Sequence, residues 1–308
     1  MRTISLFAFL LVFSERCDLN DAPARAEELH NPLHIVATTF PVWLFTRNVT
    51  RHNPNTSVEL LIPASVGCPH EYALTPRDRL KLANADVLVL NGLGMENFLK
   101  DSIYALKNTT IIDAGTKFAP PGDSGHDGKH GHHHSALNPH QFSSPARAAV
   151  MARAIADALA EADPANAWSY RTAADEYSAR LTALAQRLAD VGRATEHRGI
   201  VLQHDSLSAL VADAGLDELA VIEEDGHPQS STSALVRLTE LLRSERPLLI
   251  AADQQYSDKI VVMLSKESGI PHATLDPVAS GPPGAPPNWY ETVMSANCQT
   301  LERYFARP

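Results

Sequence analysis

Six of the fourteen histidines of this chain lie in one short stretch, residues 125–140. Neutral imidazole is a common ligand for zinc and other transition metals, so this density points first to metal binding. Glycines punctuate the stretch up to residue 134, and no helical or strand period is present, which indicates a mobile loop. Asn138, Pro139 and His140 differ, because proline fixes the backbone just before a single histidine and a helix signal follows. We therefore expect His140 to be a fixed metal ligand. The other five histidines, His126, His130, His132, His133 and His134, belong either to an auxiliary metal-binding loop or to a solvated spacer with incidental metal affinity, and the sequence leaves both open.

The composition limits the kinds of partner. A chain of 308 residues with 44% hydrophobic residues can fold into two domains of ordinary size. Its net charge of −10 argues against nucleic acid, because phosphate binding requires a basic face. The acidic balance favours cations in general but does not by itself form a specific site.

The N-terminus resembles a secretory signal. Arg2 precedes an apolar run, 4–13, and a polar stretch ends in the small residues around Ala26. Ten apolar residues are too few to span a bilayer, which takes about 20. We expect cleavage near Ala26 and a soluble mature protein in the periplasm. Glu15 and Arg16 precede Cys17 where small residues would precede a lipidated cysteine, which argues against lipidation.

Two cysteines remain after the signal is removed, Cys68 and Cys298. In an oxidising compartment they either form a disulfide bond or remain two buried thiols. A disulfide would tie an early loop to the C-terminal helix. The sequence leaves both alternatives open.

Alternating strands and helices predict an α/β fold with two doubly wound lobes, each built on a parallel sheet. A helix over 145–162 is followed by a longer one that ends near 191. About 27 residues at 1.5 Å each make a rod of about 40 Å, which either joins the lobes or covers one sheet. We favour the joining role. The predicted division is 1–26 as signal peptide, 27–164 as N-terminal lobe, 165–191 as linking helix and 192–308 as C-terminal lobe.

Four residues occupy equivalent places, each just after a predicted strand or at the start of a helix. They are His70, His140, His204 and Asp276. Ligands of parallel sheets collect at the carboxyl ends of strands, and three imidazoles with one carboxylate can close a tetrahedral shell around zinc. Two come from each lobe, so we predict a metal site in the cleft between the lobes. Asp205 and Ser206 follow His204 directly, but adjacent side chains point apart and cannot form a hydrolase triad.

Four segments carry a resemblance to a known family. They occur in this order: 68–78 (CPHEYALTPRD), 138–140 (NPH), 203–205 (QHD) and 275–277 (LDP). Together they resemble the metal-binding subunits of bacterial ABC importers for zinc and manganese, the cluster A-I solute-binding proteins, and the zinc group in particular. The resemblance covers the chain from about His34 onwards. It implies two α/β lobes joined by one long helix, with ligands at His70, His140, His204 and Asp276. A departure is Cys68, since many relatives have a small or acidic residue near this position.

The resemblance implies extracytoplasmic capture of Zn²⁺, or of Mn²⁺, and its delivery to an ABC importer permease with its ATPase. Histidine at 204 favours zinc, because nitrogen ligands suit zinc better than manganese. We expect a monomer without enzymatic activity, and the histidine loop could accept zinc from a metallochaperone. Two alternatives stay open: a periplasmic zinc buffer or chaperone without an importer, and a secreted zinc hydrolase that uses the three histidines with an open fourth position.

Overall fold

The computed structural model describes residues 32–69, 72–103, 106–118, 138–224, 227–228 and 232–305. The predicted signal peptide, the auxiliary histidine loop and His70 lie outside these ranges. Expectations that fall on them therefore stay predictions. The predicted domain boundaries also remain a prediction.

Two β-sheets form the framework of the described residues. The first sheet has the order β2-β1-β3-β4, and all its strands are parallel. The second has the order β7-β6-β5-β8-β9, in which the two-residue β7 is antiparallel to β6. The strands are β1 Leu33–Ala37, β2 Thr56–Leu60, β3 Val87–Leu90, β4 Thr110–Asp113, β5 Gly199–His204, β6 Asp217–Glu224, β7 His227–Pro228, β8 Leu249–Asp253 and β9 His272–Leu275. The predicted two-lobe α/β fold is confirmed, with β7 as an antiparallel addition.

Helices flank each sheet. Those described are α1 Phe40–Thr50, α2 Pro76–Ala83, α3 Lys100–Ile103, α4 Pro145–Ala162, α5 Ala167–Arg193, α6 Ser208–Asp213, α7 Thr232–Glu245, α8 Lys259–Ser268 and α9 Trp289–Phe305. Local sequence sets several boundaries. Thr75 and Asp78 form a reciprocal capping box at the start of α2, with Pro76 in the first turn. None of the described helices is both long enough and apolar enough to span a membrane.

Strand alternation divides the apolar residues into three clusters. Ile35 and Ala37 of β1 face a large central cluster with α1, α4, α5 and α9, whereas Val36 faces a smaller outer cluster with α2. In the second sheet Leu202 of β5 faces the central cluster and Val201 faces an outer cluster with α7 and α8. Successive side chains of a strand point to opposite faces. His204 has the same parity as Leu202 and therefore belongs to the central side of its sheet.

Helix α5 spans both lobes. Its buried face includes Tyr170, Tyr177 and Leu181, at the spacing of an amphipathic helix. It packs against α1, α4, α6 and α9. Its 27 residues have a length of about 40 Å, as the sequence predicts. Gly192 near its end is required by close packing, because a Cβ there would lie 2.3 Å from the carbonyl oxygen of Ala214.

The C-terminal part of the chain returns to the first lobe. Gly281 N–H donates to the carbonyl of Ala64, and the guanidinium of Arg47 on α1 donates to the carbonyl of Ala285. Arg180 of α5 donates both to Asn48 of α1 and to Glu291 of α9. These bonds connect the C-terminal part of the chain to the first lobe and to the long helix.

Candidate metal centre

His140 follows residues 138–139 in a tightly hydrogen-bonded turn and is fully buried. Its backbone N–H and its ring Nδ1 both lie 2.8 Å from Oδ1 of Asn138. An amide oxygen only accepts, so Nδ1 carries the proton and Nε2 presents its lone pair. Nε2 lies 2.8 Å from Sγ of Cys68. Asn138 therefore fixes the tautomer in which Nε2 of His140 can bind a metal.

A buried carboxyl group supports this turn from the first sheet. Glu96 accepts hydrogen bonds from the Thr38 hydroxyl and from the backbone N–H groups of Asn91 and Gly92. Asn91 in turn donates through Nδ2 to the carbonyl of Pro139. Burial raises the pKa of Glu96 to about 7 despite these donors. The end of β3 is thereby connected to the residue that precedes His140.

His204 is the last residue of β5 and is 3% exposed. Its Nδ1 accepts the backbone N–H of Ser206 at 3.1 Å and lies 3.2 Å from Oδ1 of Asp205. Its Nε2 lies 3.1 Å from the hydroxyl of Tyr256, whose ring stacks on the imidazole with centroids 4.6 Å apart. A neutral ring that accepts at Nδ1 carries its proton on Nε2. His204 therefore directs an N–H toward Tyr256.

The two imidazoles meet across the lobes. Their ring centroids are 5.9 Å apart and their planes are nearly perpendicular. Asp205 Oδ1 lies 3.2 Å from Nδ1 of His204 and 3.9 Å from Nδ1 of His140. The side chain of Asn138 also donates to the carbonyl of Asp205 at 2.7 Å. The structure thus brings together two of the four predicted ligands, with a carboxylate beside both.

Asp276 lies directly after β9 and is partly exposed. Its Oδ1 accepts the N–H of Val278 at 2.7 Å, and Asn297 of α9 bonds both its N–H and its carbonyl. Burial and the charge of Asp253 raise the pKa of Asp276 to about 6. Its second carboxylate oxygen is the candidate ligand atom. A metal ion would favour the ionised form that burial disfavours.

Cys68 and Cys298 are not joined by a disulfide bond. Cys68 lies against His140, whereas Cys298 is buried in α9, where burial raises the pKa of its thiol to about 11. Of the two alternatives that the sequence leaves open, the disulfide is not formed; Cys298 is a buried thiol, and Cys68 is a partly exposed one. The reason is placement, because one cysteine belongs to the candidate site and the other to the helix core.

The fourth predicted ligand, His70, lies outside the described residues, as do the loop histidines. Within the described ranges no group of three or more His, Cys, Asp or Glu side chains is placed to hold one metal ion. The described part of the site therefore consists of a histidine pair with Cys68 next to it. Completing a shell requires His70 and Asp276, and their role as ligands stays a prediction.

Sequence reasoning missed several supporting residues. Asp253 ends β8 and accepts hydrogen bonds from the Ser206 hydroxyl and the Gln255 N–H, which fixes the turn after His204. Burial raises the pKa of Asp253. An acidic residue at the end of a buried strand, one strand away from His204, was the available signal. Glu96 and Tyr256 gave no comparable signal, because Glu96 contacts Thr38 and Tyr256 contacts His204, and each of these pairs is distant in the sequence.

Comparison with known proteins gives a consistent result. The family model described as "Zinc-uptake complex component A periplasmic" matches residues 35–304. The zinc-binding lipoprotein AdcA of Streptococcus pneumoniae is 30% identical over 266 residues, which cover 84% of this chain and 52% of AdcA. The high-affinity zinc uptake system protein ZnuA of Bacillus subtilis is 26% identical over 271 residues, with 85% and 82% covered. The chain spans about half the length of the AdcA relatives.

Solved structures agree with the fold. The solute-binding protein FpvC of Pseudomonas aeruginosa, solved in complex with Ni²⁺, superimposes with a TM-score of 0.73 and 26% identity. The match covers 89% of this chain and 96% of FpvC. With the family model matched over nearly all of the described residues, this chain belongs to the family of periplasmic zinc-uptake component A proteins.

Proposed function

We propose that this chain captures Zn²⁺ outside the cytoplasm and delivers it to the permease of an ABC importer. The observation that carries the proposal is the meeting of His140 and His204, one from each lobe, with ring centroids 5.9 Å apart. Both rings are almost completely buried, and both are positioned by side chains or backbone groups of their own lobes.

The proposed shell consists of His70, His140, His204 and Asp276. Three imidazoles and one carboxylate suit zinc in a tetrahedral geometry, and the nitrogen donors disfavour Mn²⁺. Asn138 and Asp205 act as outer partners that accept hydrogen bonds from the Nδ1–H groups when Nε2 binds the metal. Zinc is the cargo in this proposal, and a closed four-ligand shell leaves no position for an activated water.

Ligands from two lobes couple capture to the relative position of the lobes. Helix α5 contacts elements of both lobes. Its Arg180 also bonds Asn48 of α1 and Glu291 of α9, so one side chain links these three helices. Such a connection favours small tilts and local loop movements over a wide hinge motion. In this proposal the permease releases zinc by separating the two histidines.

A zinc titration of the metal-free mature protein against a chromophoric chelator tests the proposal. The variants are His140→Ala, His204→Ala and Asp276→Ala. We expect one tight site, weakened more than about 100-fold in both histidine variants, since even outer partners contribute about 10–100-fold. The control is His272→Ala, which removes an exposed histidine on β9.

Each outcome bears on a different part of the proposal. Equal affinity in His140→Ala and the parent would overturn the interlobe site. Unchanged affinity in Asp276→Ala alone would show that the carboxylate is misassigned. Delivery needs a separate measurement of zinc uptake by cells that carry the permease and ATPase, with and without this chain. A chain that binds zinc tightly yet leaves uptake unchanged is a buffer.

A further inference from the structure

Cys68 is in direct contact with the candidate metal-binding nitrogen. Its Sγ lies 2.8 Å from Nε2 of His140, and 3.9 Å from Sδ of Met95. Nδ1 of His140 is held by Asn138, so the ring nitrogen that faces Cys68 is the one available for a metal. The contact lies inside the molecule, because His140 is fully buried and Cys68 is only partly exposed.

We propose that Cys68 supplies a thiolate ligand to the same metal ion and makes the site selective for thiophilic metals. This inference rests on the proposed function, since it concerns the same site. On binding, the Cys68 S–H bond gives its proton to solvent, and the sulfur electron pair forms the bond to Zn²⁺. No oxidant or reductant takes part in this exchange.

The geometry allows the ligand with a small movement. Zn–S of about 2.3 Å and Zn–N of about 2.0–2.1 Å at a tetrahedral angle place sulfur and nitrogen about 3.6 Å apart. The observed 2.8 Å means that the two atoms must separate by about 0.8 Å to admit the ion. Cys68 belongs to residues 61–69, which contain no helix or strand, so such a shift breaks no ladder hydrogen bond.

The identity of the donor has consequences for metal choice. Thiolate is a soft ligand that favours zinc and disfavours manganese, which prefers oxygen donors. A tetrahedral ion has room for four donors, so the bound Cys68 thiolate takes the position that the proposed shell gives to the Asp276 carboxylate. The sulfur ligand therefore increases the preference for zinc over manganese that the imidazole ligands already give.

Zinc X-ray absorption spectroscopy on the full mature chain loaded with one equivalent of Zn²⁺ tests this directly. We expect a sulfur shell at about 2.3 Å in the parent, in Asp276→Ala and in Cys298→Ser, and its loss in Cys68→Ser. Cys298→Ser is the matched control, because Cys298 is buried in α9. The parent spectrum alone carries the result, so the inference stays testable if a variant folds poorly.

Two further readouts separate a ligand from a neighbour that only donates a hydrogen bond. Zinc binding at neutral pH should release one more proton from the parent than from Cys68→Ser. The ratio of zinc to manganese affinity should fall about tenfold or more in Cys68→Ser. A parent spectrum with only nitrogen and oxygen neighbours, together with one tight site that depends on His140, overturns the role of Cys68 and leaves the proposed function intact. Absence of any tight site overturns both.

Discussion

His140 and His204 have similar supports but opposite hydrogen-bonding states. Behind each lies a buried carboxyl group with a raised pKa, Glu96 in the first lobe and Asp253 in the second. His140 has its Nδ1 bonded to Asn138 and directs Nε2 at Cys68. His204 accepts a backbone N–H at Nδ1 and directs Nε2 at the Tyr256 hydroxyl.

Under the proposed function, this difference means that the two lobes contribute unequally to metal capture. The first lobe holds its imidazole in the metal-binding tautomer before the ion arrives. In the second lobe the proton must move from Nε2 to Nδ1, where Oδ1 of Asp205, 3.2 Å away, can accept a hydrogen bond from it. Capture by His204 therefore exchanges one set of hydrogen bonds for another, which lowers affinity relative to a preformed ligand.

Replacing Glu96 by Gln tests the support of the first lobe and should have the largest effect. Glu96 accepts three hydrogen bonds, and an amide nitrogen in place of one oxygen leaves a buried donor without an acceptor. We expect Glu96→Gln to lower the free energy of unfolding by about 1–3 kcal/mol. Urea unfolding measures it, with the exposed Glu161→Gln on α4 as control.

The pH dependence of the unfolding free energy, measured for wild type and for Glu96→Gln, gives a second check. The pKa of Glu96 is raised from 4.5 to about 7, so the folded state retains a proton that the unfolded chain releases. Wild-type stability from this group therefore falls as pH rises from about 4.5 to about 7. The stability gap between wild type and Glu96→Gln should be widest at about pH 4.5 and below, and should narrow until the pH exceeds about 7. A gap that widens with pH would contradict the raised pKa.

Asn138→Ala tests the preset tautomer of His140. Both hydrogen bonds from His140 to Oδ1 are lost, so we expect zinc affinity to fall about 10–100-fold in a chelator competition. Asn138→Asp keeps an acceptor oxygen and should restore most of the affinity. Nitrogen NMR of the imidazole should report protonation at Nδ1 in wild type. Equal affinity in the Ala and Asp variants would show that the bond to Nδ1 is unimportant.

Tyr256→Phe tests the second histidine and should act in the opposite direction. The variant keeps the ring that stacks on His204 but removes the hydroxyl that faces Nε2. Losing a hydrogen bond of about 0.5–1.5 kcal/mol from the metal-free state should raise zinc affinity about 2–12-fold. Tyr304→Phe on α9 is the control, since its hydroxyl contacts only the carbonyl of His272 among the described residues. A fall in affinity would place the Tyr256 hydroxyl in the zinc complex.

Much of the fold follows from local patterns. Strands of apolar and β-branched residues alternate with helices, and the long helix predicted over 165–191 is observed as Ala167–Arg193. The proximity of His140 and His204 was also predictable, because ligand-binding residues of parallel sheets lie beyond the carboxyl ends of the strands, where both histidines were expected. The protonated nitrogen of each ring was not predictable, because it depends on the folded geometry of each turn: Nδ1 of His140 faces the Asn138 oxygen, whereas Nδ1 of His204 faces the Ser206 N–H. The placement of Cys68 away from Cys298 depends equally on tertiary packing.

A crystal structure of the zinc-loaded protein, with anomalous diffraction measured at the zinc edge, tests the central claim most directly. We predict one strong peak between the lobes, about 2.0–2.1 Å from Nε2 of both His140 and His204. The Nδ1 atom of His204 should then face Asp205, with its bond to Tyr256 broken. A strong peak that contacts neither Nε2 atom would contradict an interlobe capture site.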